Sequence, residues 1–118
     1  MALSKEQVGE KLKDPKVVIL NVLSRKEFLE VHILGSENIP MTTDPEDFSR
    51  SVAEKFGKAR SFVLYGERFG LLDSHMATRA LIDHGLKAEN YPGGIQEWRK
   101  AGLPVEGTGV IPAPRTIP

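Results

Sequence analysis

Two short runs constrain this chain most: Val17-Val18-Ile19-Leu20 and Ser61-Phe62-Val63-Leu64-Tyr65. Both are apolar and rich in β-branched or aromatic residues, and neither alternates with polar positions. A strand with one wet face must alternate, so these runs read as strands buried on both faces. That environment is supplied by a parallel sheet covered by helices on each side. Parallel strands in turn need crossover connections, and helix-start signals follow both runs.

Those signals repeat along the chain. Ser4 and Gln7 have the spacing of a capping box, and Val8 and Leu12 share one helical face before Asp14-Pro15 ends the helix. Ser24-Arg25-Lys26-Glu27-Phe28 opens a second helix that ends near Val31-His32. Asn38-Ile39-Pro40 suits a short strand. Thr43-Asp44-Pro45-Glu46 places a cap residue before a proline at the first helical position, and Phe48, Val52 and Phe56 form the stripe behind it. Asp73-Ser74 is expected to cap a helix running to His84-Gly85, with Met76, Ala77, Ala80, Leu81 and His84 on its inner face. Glu89-Asn90-Tyr91 reads as a third short strand. Pro92-Gly93-Gly94 turns into a last helix, Ile95 to Ala101, anchored by Trp98 and stopped by Gly102. Strand and helix alternate, which predicts an α/β domain: about five strands, mainly parallel, with helices on both faces. The domain is expected over residues 1–106, with 107–118 as an extended tail rich in proline and glycine.

Composition narrows the chemistry. The 118 residues contain no cysteine, which excludes disulfides, zinc–cysteine sites and a thiolate nucleophile carried by this chain. Lysine plus arginine equals aspartate plus glutamate at 16 each, so no general electrostatic pull on nucleic acid or an anionic membrane is expected. Near neutral pH little charge repulsion separates two copies, which leaves a homodimer open. The amino-terminal residues lack the basic-then-apolar form of a secretory signal, and a cytoplasmic location is expected. His75 and His84 lie on opposite faces of one helix, and no histidine group has metal-ligand spacing, so neither a metal nor another cofactor is expected.

Three separated segments resemble the rhodanese-like family. The first is Val17 to Phe28 followed by Val31-His32-Ile33-Leu34-Gly35-Ser36-Glu37-Asn38-Ile39-Pro40; the second is Phe62-Val63-Leu64-Tyr65 and its loop; the third is Pro92-Gly93-Gly94-Ile95-Gln96-Glu97-Trp98 through Ala101-Gly102-Leu103-Pro104-Val105. The resemblance implies a rhodanese-like fold. It also implies that the strand 62–65 delivers the position where family sulfurtransferases carry a cysteine, at the start of a loop whose backbone N–H groups and following helix form an anion-holding bowl. Here that position is Gly66, so the resemblance implies no catalytic residue. The family's Asp-Val-Arg becomes Asn21-Val22-Leu23; Val31 replaces the glycine before the family histidine, and Leu34 the proline after it. His32 matches that histidine, a structural residue in the family.

The candidate site is therefore the loop Gly66-Glu67-Arg68-Phe69-Gly70-Leu71-Leu72-Asp73-Ser74. It is longer than a sulfurtransferase loop and differs in content. Glu67 puts a carboxylate where anions bind, and Arg68 is either neutralised by it or free to hold an anion. Phe69, Leu71 and Leu72 either face outward as a partner surface or fold inward to fill the emptied bowl. The expected function is a non-catalytic rhodanese-like module that binds a protein partner or a small anion at this loop. The alternative is a sulfurtransferase-related enzyme that uses a thiol supplied by a partner.

Overall fold

A computed structural model describes residues 2–110. The two apolar runs form its centre. Strand β1 (Val17–Asn21) pairs in parallel with β4 (Ser61–Tyr65), in register from Val17 opposite Ser61 to Asn21 opposite Tyr65. Strand β3 (Glu37–Asn38) flanks β1, and β5 (Lys87–Tyr91) flanks β4, both parallel, giving the order β3-β1-β4-β5. Side chains alternate across this sheet, and both faces are covered. Val18, Leu20, Phe62 and Leu64 pack under α3 (Pro45–Phe56) and α4 (Asp73–Asp83) through Phe48, Val52, Ala77 and Leu81. Ile19, Val63 and Tyr65 face α1 (Lys5–Lys11) and α5 (Gly94–Lys100) through Val8, Ile95 and Trp98. This is the mainly parallel α/β arrangement expected, with helices on both faces.

The helix starts follow local chemistry. Ser4 with Gln7 and Ser24 with Glu27 form complete capping boxes, the second opening α2 (Arg25–Glu30). Asp44 caps α3 ahead of Pro45. Gly57 ends that helix at φ +80°, a conformation glycine adopts without strain.

Two expectations need correction. The parallel sheet has four strands, not about five. Among the described residues its outer edge beside β5 carries only an isolated bridge between Ala2 and Asn90, because Ser4 turns the chain into α1 immediately afterwards. A separate two-stranded ribbon is present instead: β2 (His32–Ile33) pairs antiparallel with β6 (Val105–Glu106). Met76, expected inside, is 52% exposed. The buried face of α4 runs through Ser74, Ala77, Thr78 and Leu81, at the spacing of one helical stripe. Ala77, Ala80 and Leu81 are buried as expected; the apolar pattern missed the polar Ser74 and Thr78 beside them.

Beyond β6, the N–H of Thr108 donates to the carbonyl of Leu29 at 2.9 Å, and that of Gly109 to Glu30 at 2.8 Å. The rest of the expected tail, residues 111–118, lies outside the described residues. Among the described residues no helix is long and apolar enough to cross a membrane.

Candidate functional site

The loop begins where β4 ends, at the carboxyl edge of the parallel strands, where open α/β sheets place their sites. Its base is pinned. Tyr65 is fully buried; its hydroxyl accepts from the Ile33 N–H at 3.0 Å and shares a 2.8 Å hydrogen bond with Ser36 Oγ. Burial pushes the Tyr65 hydroxyl above the ordinary tyrosine range. Packing and two hydrogen bonds together hold Tyr65 in place. Gly66, also buried, accepts from the Ile95 N–H at 3.0 Å, and the Glu67 carbonyl accepts from the Gln96 N–H at 2.8 Å. These bonds need the α5 backbone to come very close. Gly94 sits at φ +65°, and a Cβ there would meet the Gly66 carbonyl oxygen at 2.7 Å and Glu67 backbone at 2.7 Å. Only glycine fits both constraints.

Past this base the loop turns outward. The Glu67 and Arg68 side chains pair at 3.5 Å, each about half exposed, so the pair is weak and screened by solvent. Gly70 turns the chain at φ +89°. Phe69, Leu71 and Leu72 are 57%, 42% and 64% exposed. Of the two orientations open to them, they adopt the outward one, and the inward filling of the bowl does not occur. At Gly66 itself an added Cβ would meet only the side chains of Leu23, Ser74 and Val22, at 3.9–4.0 Å. The vacated position is therefore roomy enough for a small side chain.

The start of α4 differs from expectation. Leu72 is the N-cap, in αR conformation, and no side chain caps the helix. Asp73 is its first residue and exposed. Ser74 is its second residue, buried, and its carbonyl accepts from Thr78 Oγ1 at 2.7 Å. Helix α4 thus begins one residue earlier than an Asp73 cap would allow.

Two grooves flank the loop base and meet at Leu23 and Glu27, which line both. One, of about 490 Å³, runs between Glu30, Glu67, Arg99 and Lys100 over a floor that includes Val31 and Ile95. The other, of about 410 Å³, runs between Val22, Met41, Asp73 and Met76. Leu23 is held firmly on the ridge between them. Its N–H donates to Asn21 Oδ1 at 2.8 Å, and its carbonyl accepts from Asn38 Nδ2 at 2.9 Å. Sequence reading noted Leu23 only as a departure from the family arginine, and Glu27 only as part of a helix start. What it lacked was the tertiary folding of the segment after β1 against the segment after β4.

His32 is structural, as the family resemblance implied. Its Nδ1 lies 2.7 Å from the Phe28 carbonyl oxygen and its Nε2 3.0 Å from Glu106 Oε1, with the ring stacked on Phe28 at 3.8 Å. His75 is exposed and His84 half-buried, both far in sequence from this ribbon.

The rhodanese-like domain family model matches residues 4–101. The chain belongs to the rhodanese-like family, and it is a member without the cysteine that family sulfurtransferases use. Solved structures agree on the fold. The BH2092 protein of Bacillus halodurans is 21% identical, with a TM-score of 0.80 over 92% of this chain and 77% of that one. The rhodanese-like domain of the Alr3790 protein from Anabaena is 23% identical, with a TM-score of 0.77 over 98% of this chain and 87% of that one. A rhodanese-related protein from Thermoplasma volcanium is 23% identical, with a TM-score of 0.71 over 89% and 96%. A search of the curated proteins finds no match.

Proposed function

We propose that this protein is a non-catalytic rhodanese-like module whose loop 66–74 docks a protein partner. One observation carries the reading: at the position of the family nucleophile stands Gly66, and the loop beside it turns Phe69, Leu71 and Leu72 toward solvent. Without a thiolate the chain cannot hold sulfur covalently, so the reaction cannot be split into two easier steps. Contiguous exposed apolar side chains, by contrast, suit contact with another surface. Arg68 adds little anion affinity while Glu67 pairs with it.

The test is sulfur transfer from thiosulfate to cyanide, with and without an added low-molecular-weight thiol. The expected rate is the uncatalysed one in both cases. Turnover that appears only with the added thiol would favour an enzyme borrowing its nucleophile. Turnover without it, surviving dialysis, would overturn the non-catalytic reading.

A further inference from the structure

Building on the proposed docking role of the loop, we infer that its partner presents a basic and apolar segment: an arginine or lysine side chain flanked by large apolar ones. The apolar half of the argument is the surface itself. Phe69, Leu71, Leu72 and Met76 are 57%, 42%, 64% and 52% exposed, all within eight residues of the loop and the first turn of α4. Met76 also lines the groove of about 410 Å³, so the exposed surface and the groove are continuous.

The basic half comes from the charges around that groove. Glu27 from α2 and Asp73 from α4 both border it, and among the described residues no lysine or arginine does. Glu27 accepts from the Ser24 hydroxyl at 2.8 Å, and neither it nor Asp73 has a cationic partner among the described residues. The one basic side chain of the loop, Arg68, has the Glu67 carboxylate 3.5 Å away, so the two charges offset each other. The rest of the lining is mixed: Val22, Leu23, Met41 and Met76 offer apolar surface, and Ser24, Thr42 and Thr43 offer hydroxyls. An arginine or lysine matches this shape: its aliphatic stem lies along the apolar surface while its charged head reaches the carboxylates. An acidic segment or an anionic membrane would instead meet like charge.

The probe is a labelled helical peptide of leucine and arginine, compared with a matched leucine and glutamate peptide. Binding is followed by fluorescence anisotropy and located by amide chemical shifts. The leucine–arginine peptide is expected to bind and to shift the amides of residues 22–27 and 66–76. Asp73→Arg should weaken it about tenfold, and high salt should weaken it several-fold. Leu72→Ser should weaken both the wild-type and the Asp73→Arg complexes. Circular dichroism checks that both variants stay folded; the two-peptide comparison on the unaltered protein needs no variant. Equal binding of the leucine–glutamate peptide at the same amides would overturn the charge preference while leaving the docking loop standing. Shifts confined to other surfaces would overturn both. Stronger binding to vesicles of anionic phospholipid than to either peptide would overturn the choice of a protein partner.

Discussion

Tyr65 and Phe69 are four residues apart in the chain and belong to opposite worlds. Tyr65 is fully buried, and its hydroxyl is engaged by both Ile33 and Ser36. Phe69 is 57% exposed and projects from a loop whose other apolar side chains also face water. The chain passes from one regime to the other at Gly66, whose own backbone is still fixed to α5. The difference teaches that the frame around the family's site is specified apart from the site's contents. Backbone bonds and buried aromatics hold the walls, and the exposed side chains of the loop lie outside them.

Substitutions on the two sides should separate sharply. The largest effect is expected at Trp98, which is 2% exposed and donates from Nε1 to the Pro104 carbonyl at 2.8 Å. Trp98→Ala should cost about 3–5 kcal/mol by denaturant unfolding. Gly94→Ala comes next, at more than ~2 kcal/mol, since it adds left-handed strain to a clash with the loop base. If that variant kept full stability, the loop would not be pinned to α5 as described. Tyr65→Phe strands the Ile33 N–H and should cost about 1–3 kcal/mol.

The tyrosines also set an alkaline limit. Burial raises Tyr65, and burial together with the Glu97 carboxylate raises Tyr91; these are the chain's 2 tyrosines. A raised group holds its proton in the folded state, so its stabilising effect is full below the unfolded value of ~10 and declines as the pH climbs past it. Tyrosinate absorbance should therefore appear only together with unfolding. Early titration of either tyrosine in folded protein would contradict the burial. The smallest effect is expected on the loop: Phe69→Ser and Leu72→Ser should each change stability by no more than about 0.5 kcal/mol. A much larger loss at Phe69 would mean that the loop is part of the frame after all.

Much of this frame was legible in the sequence. The non-alternating runs identified β1 and β4 because burial on both faces leaves that signature, and Ser4, Ser24 and Asp44 announced their helices because capping is local chemistry. The ribbon of β2 and β6 was not legible. Two residues per strand carry no period, and their partners lie at opposite ends of the domain. The inner face of α4 was read in part: Ala77, Ala80 and Leu81 are buried, but Ser74 and Thr78 are buried polar residues that an apolar pattern passes over, with Thr78 satisfied by a bond to its own helix. The loop's beginning was legible from the strand that Gly66 ends, but its far end was not, since Asp73 and Ser74 already belong to α4. The outward aim of its apolar side chains was not, since that depends on how Gly94 lets α5 reach the loop base.

The β2–β6 ribbon also has a consequence for how the protein is made. His32 meets Glu106 across 74 positions of sequence. A ribosome adding about 5–20 residues per second needs on the order of 4–15 s to cover that stretch. Throughout that interval the edge of β2 is open and the Leu29 and Glu30 carbonyls lack the N–H groups of Thr108 and Gly109. The ribbon thus closes only when nearly all of the domain has emerged, and its two-residue edge is too short in the meantime to template pairing with another copy.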